Sequence, residues 1–288
     1  MAAKPIVAAT DGSEESLRAV DWAAREAVLR GAPLRIVTAA ALLPRMVGSQ
    51  GQSHYEVVTD VIRDASDAAL SAAAARATKV AADLLIDTDH LAGSPAEAVT
   101  NAGSGALMLV VGSRGVAAFA AMVLGSVSRY AATHAASPVV VVREETGAAH
   151  RQVGVGIGSV EGNDAALDFA FEEAALRKAS LVAVHAWHTP QLDVSRTGHT
   201  PAGATADVFQ TEAARELERL LDEWREKYPG VQVSQDVVHG HPGRTLAGLS
   251  ARADLVVLGR RPPHHGPGTV THAVLNHAHG PIATVPSS

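Results

Sequence analysis

The residues best suited to chemistry are Gly112–Ser113–Arg114–Gly115 and, after nine intervening residues, Gly125–Ser126–Val127–Ser128. The chemistry is anion binding. Glycines let backbone N–H groups approach a phosphate with no side chain in the way. A helix amino end offers free N–H groups and a partial positive charge. The hydroxyls of Ser126 and Ser128 add donors for phosphate oxygens. The same residues also serve as a strand-end turn followed by an ordinary serine cap, so the pieces gain meaning only together. Hydrolytic machinery is missing. There is no G-x-x-x-x-G-K-[ST] and no G-x-S-x-G, and no lysine or paired carboxylates adjoin the glycines.

The elements that would position these residues follow from periodicity. Ile6–Thr10 is a short apolar run followed by Asp11–Gly12–Ser13, and Val153–Ile157 is followed by Gly158–Ser159 in the same manner. Each leads into a stretch with apolar residues at helical spacing, Ser16–Arg30 and Asn163–Lys178. Strand-like runs follow at Leu34–Ala39 and Leu181–Ala186. Longer helices are expected over Asp60–Ala82 and Thr205–Lys227, then strands at Leu84–Leu91 and Val231–Val238. Gly93–Ser94–Pro95 and Gly240–His241–Pro242 each open a short helix. Apolar runs at Ala106–Val111 and Leu255–Leu258 end in Gly112 and Gly259. A helix and a last strand, Val139–Val142 or Ile282–Val285, close each half.

The chain is therefore expected to hold two α/β domains, residues 1–146 and 151–288, each a five-stranded parallel sheet with helices on both faces. Residues 146–150 read as the linker. In such sheets ligands sit beyond the carboxyl ends of the strands, where the strand order reverses. The glycine-rich stretches fall in that place.

Composition agrees. The chain has 288 residues, enough for about two domains. Apolar residues make up 47% and aromatics only 3%, which favours Ala, Val, Leu and Ile packed between helices and a parallel sheet. With 24 basic against 30 acidic residues the charge is −6, so no broad basic footprint exists for nucleic acid or an anionic membrane. The absence of cysteine excludes disulfides, zinc ribbons and thiol catalysis. The apolar windows Ala106–Val111 and Val116–Leu124 fall far short of a membrane span of about 20 residues. Met1–Thr10 does not read as a secretion signal, and the expected location is the cytoplasm.

The spacing Gly112-x2-Gly115-x9-Gly125-Ser126 resembles the nucleotide-binding signature of the universal stress proteins. Val7–Ser13 looks like that family's first strand and acidic loop, and Gly93–Ser94–Pro95 and Ser137–Pro138–Val139 match it as well. The resemblance covers nearly the whole chain as two tandem copies, an arrangement common in actinobacteria. It implies flavodoxin-like, Rossmann-like domains that bind ATP and regulate rather than catalyse. Carried over by position, it puts Ala9, Thr10 and Asp11 on one wall and Ala39 against adenine. Gly112, Arg114 and Gly115 would form the phosphate loop, with Gly125, Ser126, Val127 and Ser128 at phosphate and ribose oxygens. Magnesium would ride on the phosphates. The family also pairs domains through their last strands. That implies Val139–Val142 against Ile282–Val285 in an intrachain pseudo-dimer, with a homodimer and a regulatory protein partner left open. A slow ATP hydrolase and a nucleotide-free scaffold remain the other readings.

The second half departs from the signature. Ile157 is read in the place of the loop aspartate, and Pro262 in that of the second glycine. Only Pro263–Pro267 separate Pro262 from Gly268, so one nucleotide per chain is expected. Gly154-x-Gly156-x-Gly158 lacks the spacing of a dinucleotide loop. Ten of the fourteen histidines lie beyond His150, among them His185, His188, His239, His241, His264, His265, His272, His277 and His279. None has the helical spacing that puts two metal ligands on one face, and they are expected to be solvated or capping.

Overall fold

The structure is a computed structural model that describes residues 3–40, 52–115, 124–143, 149–158, 162–187, 202–260 and 268–287, with the side chains of 52–58 and 202–207 left aside. The chain divides into two units, Met1–Glu145 and Thr146–Ser288. The first unit runs β1 (Ile6–Ala9), α1 (Glu14–Arg30), β2 (Leu34–Ala39), α2 (Gln52–Val80), β3 (Ile86–Leu91), α3 (Pro95–Ala102), β4 (Met108–Gly112), α4 (Ser126–His134) and β5 (Val139–Val142). The second repeats it as β6 (Gln152–Gly156), α5 (Asp164–Arg177), β7 (Ser180–Trp187), α6 (Ala202–Lys227), β8 (Val233–His239), α7 (Pro242–Leu249), β9 (Leu255–Arg260), α8 (Thr269–His277) and β10 (Ile282–Pro286).

Every pairing within a unit is parallel. The order is β3-β2-β1-β4-β5 in the first unit and β8-β7-β6-β9-β10 in the second. These are the expected five-stranded α/β sheets. In the first unit α1 packs with α2, and α3 with α4. β1 and β4 are therefore covered on both faces, which is why they read as unbroken apolar runs. β3 lies at the edge and carries Asp87, Thr88, Asp89 and His90 instead. The strand order reverses between β1 and β4, so the crevice of a doubly wound sheet opens at their carboxyl ends.

Local chemistry sets the helix ends. The Ser13 hydroxyl accepts from the Ser16 amide at 3.2 Å and caps α1, whose first turn holds Glu14 and Glu15. Helix α2 starts earlier than the sequence pattern suggested, at Gln52 rather than Asp60. Arg76 of α2 clamps α1 through Asp21 at 2.7 Å and Glu14 at 2.9 Å, and the hydrogen bond to Asp21 is the main cause that raises its pKa. Near its end α1 buries Glu26 under Arg30 at 2.6 Å, and α5 buries Glu173 under Arg177.

The two helices then close differently. Gly31 ends α1 at φ 59°, a left-handed conformation natural to glycine. The same place after α5 is taken by Lys178 at φ 51° and ψ 43°. A Cβ in that region is strained by about 1 kcal/mol. Lys178→Gly is expected to raise the unfolding free energy by about 0.5–1 kcal/mol. Denaturant titration of the two proteins checks this, and an unchanged or lower value would show that the strain is relieved elsewhere.

Candidate functional site

β1 leads into a turn made almost wholly of side-chain hydrogen bonds. The Thr10 hydroxyl meets the Ser16 hydroxyl at 3.1 Å and accepts from the Gly12 amide at 3.1 Å. Ser16 donates to the Ser13 carbonyl at 2.8 Å. The Asp11 carboxylate accepts from the Ser13 amide at 3.1 Å and from the Ser13 hydroxyl at 2.6 Å through Oδ1. Gly12 sits at φ 82°, as the turn demands. Asp11 thus does the work of an ordinary Asx turn with one oxygen. Its Oδ2 lies over Gly115, where a Cβ would stand 2.2 Å from it.

The glycines after β4 separate into different roles. A Cβ on Gly112 would lie 2.8 Å from the Glu15 carbonyl oxygen and 3.0 Å from the Ser16 nitrogen. Gly112 is therefore glycine because the first turn of α1 lies on it, not only because a ligand might. Its carbonyl accepts the Ser128 hydroxyl at 2.6 Å. This corrects the expectation that Ser128 donates to a ligand: its proton is committed to the strand end. Gly125 differs again. It has φ −67°, open to any residue, and a Cβ there would meet nothing closer than 3.5 Å. Nothing in the described fold requires glycine at 125.

Helix α4 starts at Gly125 without a side-chain cap. Its first internal bond runs from the Arg129 amide to the Gly125 carbonyl at 3.0 Å. The amides of Ser126, Val127 and Ser128 precede that bond and are unpaired among the described residues. Ser126 is exposed beside them. These groups face a cleft of about 290 Å³. All eleven residues named from the sequence line it: Ala9, Thr10, Asp11, Ala39, Gly112, Arg114, Gly115, Gly125, Ser126, Val127 and Ser128. Ser16, Pro95, Val99 and Val111 line it too and were not foreseen. Val111 was readable as the residue before Gly112. Pro95 and Val99 come from α3, which no short motif links to the glycines. The Arg114 guanidinium is held at 3.4 Å by Glu15, which also stands 3.7 Å from Arg18.

The second unit is built on the same plan with other side chains. The Thr10 amide bonds the Val37 carbonyl, and the Ile157 amide bonds the Val184 carbonyl, both at 2.9 Å. The ladders agree, so Ile157 stands in the place of Thr10 and Gly158 in that of Asp11. This corrects the assignment of Ile157 to the aspartate position by one residue. The aspartate is lost all the same, and Ile157 has no hydroxyl for the turn network. By the same registers Gly156 replaces Ala9, and Leu258 replaces Val111. Leu246, fifth in α7, replaces Val99, fifth in α3. A Cβ on Gly156 would lie 2.9 Å from both Leu246 Cδ1 and Leu258 Cδ2. Two leucines therefore cover the strand end that floors the cleft in the first unit. Arg260 is buried, which pushes its pKa down. The shortened loop with Arg261, Pro262, His264 and His265, most of Val116–Leu124, and linker residues 146–148 fall outside the described residues. Of the histidines, His185 bonds the Ile157 carbonyl at 3.0 Å. No group of three or more metal-ligating side chains occurs among the described residues. Nor is any described helix long and apolar enough to cross a membrane.

Comparison with known proteins matches residues 2–143 and 150–286 separately to the model of the universal stress protein family. A universal stress protein of Mycolicibacterium smegmatis is 33% identical, covering 96% of this chain and 92% of the relative. Universal stress protein Rv1996 of Mycobacterium tuberculosis is 32% identical, covering 96% and 93%. The crystal structure of a universal stress protein from Archaeoglobus fulgidus superposes with a TM-score of 0.71 at 18% identity, covering 99% and 98%, a likeness of fold.

The contrast between Gly112 and Gly125 is testable without ligand. Gly112→Ala forces a methyl into the backbone of α1 and is expected to cost about 1–3 kcal/mol of stability. Gly125→Ala changes only the cap preference and is expected to cost less than about 1 kcal/mol. Chemical denaturation of both variants decides it. Equal losses would remove the distinction drawn between the two glycines.

Proposed function

The chain belongs to the universal stress protein family, and we propose that its first unit binds ATP in the cleft at the carboxyl ends of β1 and β4. The protein then acts as a nucleotide-dependent regulator in a stress response. The observation that carries this reading is the uncapped amino end of α4, whose Ser126–Ser128 amides open into the cleft beside Arg114. Such an end with an arginine nearby is an anion site. Gly125 supports it, since the described fold gives no reason of its own for glycine there. The apolar floor of Ala9, Ala39, Val99 and Val111 suits a planar base. Magnesium would be carried by the phosphates, with its remaining ligands from water.

One nucleotide per chain is proposed. Leu246 and Leu258 occupy the corresponding floor of the second unit, and Gly158 removes the carboxylate. Regulation rather than catalysis is favoured because neither a lysine nor paired carboxylates adjoin the glycines.

Protein purified without added nucleotide, heated and cleared, is expected to release ATP on ion exchange. Release of ADP would favour a slow hydrolase, and release of nothing a scaffold. Nucleotide-free protein should bind ATP at micromolar strength or better, about −8 kcal/mol. Gly125→Leu should abolish this binding with little change in thermal unfolding. Calorimetry should give a stoichiometry near one, and a value near two would overturn the asymmetry.

A further inference from the structure

We propose that Glu15 is an internal competitor for the ligand's phosphates, holding Arg114 until a stronger anion displaces it. The inference rests on the ATP reading of the same cleft and concerns what sets its selectivity. Among the described residues that line the cleft, Arg114 is the cationic side chain. Its Nη2 lies 3.4 Å from Glu15 Oε1, a long contact between two partly exposed side chains. A contact of that kind is weak and readily exchanged. Glu15 cannot drift away from the site, because its backbone is wedged against Gly112 at the end of β4. Its carboxylate therefore starts from a fixed point within reach of the phosphate end.

The neighbouring charges leave Glu15 to this role. Glu14 is taken by Arg76 at 2.9 Å, and Asp11 by Ser13. Arg18 stands 3.7 Å from the same Glu15 oxygen, so the carboxylate keeps a second cation when Arg114 leaves. A phosphate presents several oxygens to a guanidinium and can be held bidentately. It exchanges a long carboxylate contact for a stronger one. A ligand without phosphate gains nothing from the exchange. Glu15 thus lowers affinity for phosphorylated ligands while leaving the base subsite untouched, and binding requires enough anionic charge to win Arg114.

The test uses the nucleotide-free full-length chain and calorimetric titration with ATP and with adenosine. Glu15→Gln keeps the size of the side chain and removes its charge. It is expected to tighten ATP about three- to tenfold and to leave adenosine within about twofold. The gain should shrink in 0.5 M salt as the charges are screened. Adding Arg114→Gln to Glu15→Gln should cancel the gain. An ATP affinity unchanged or weakened by Glu15→Gln would overturn the proposal, as would a gain that survives loss of Arg114. If the unaltered chain binds no ATP, the site reading itself falls and this proposal with it, an outcome distinct from the others. Thermal unfolding of each variant confirms that the fold is kept.

Discussion

The first unit depends on one close approach, the first turn of α1 laid on the last residue of β4. At Gly112 there is no room for even a methyl group, since the Glu15 carbonyl would stand 2.8 Å from it. The carbonyl of the same residue receives the Ser128 hydroxyl from α4 at 2.6 Å. Gly112 is thus the point where α1, β4 and α4 are joined. The neighbouring turn from β1 is tied to α1 by Thr10 and Ser16. A rigid corner of this kind fixes the distance between Asp11 on one side of the cleft and the α4 amides on the other. Residues placed so by packing need little reordering to receive a ligand.

The second unit shows the same strand end covered by larger side chains. The sheet and its order are kept, and α3 and α7 have the same length and start on proline alike. What changes is volume. Two valines become leucines, and the alanine beneath them becomes a glycine that accommodates them. Each leucine adds a methylene and the glycine removes only one, so the summed side-chain volume rises where the first unit is open. The fold is indifferent to whether the strand end is covered by side chains or left open. At the strand end of the second unit the described residues place leucine side chains where the first unit is open.

Much of this was legible in the sequence, and the reason lies in what each signal measures. Helical and strand periodicity report burial, so the strands and helices of the described residues stood out, apart from the early start of α2 at Gln52. The cleft residues of β1, β4 and α4 stood out because glycine spacing reports backbone geometry. Val99 and Pro95 gave no such signal, because α3 reaches the cleft only through the tertiary fold. The comparison of Val99 with Leu246 would have been informative, yet it needs the register that only the ladders supply. The same register moved Ile157 by one place. Ser128 was misread for another reason: a hydroxyl at a helix start looks the same whether it faces a ligand or a strand-end carbonyl.

The electrostatics of the cleft give its two ends different characters. Helix amino ends attract anions, and both α1 and α4 begin at this edge of the sheet. α1 is already answered by its own chain, with Ser13 as cap and Glu14 and Glu15 in the first turn. α3 carries Glu97 in the same position. α4 has neither a side-chain cap nor an acidic residue in its first turn. A polyphosphate would therefore be repelled from α1, where Asp11 and Glu15 stand, and drawn to α4. The uncharged part of a nucleotide is left to the apolar floor between Ala39 and Val99. The direction in which a nucleotide would lie thus follows from which helix the chain has already capped for itself.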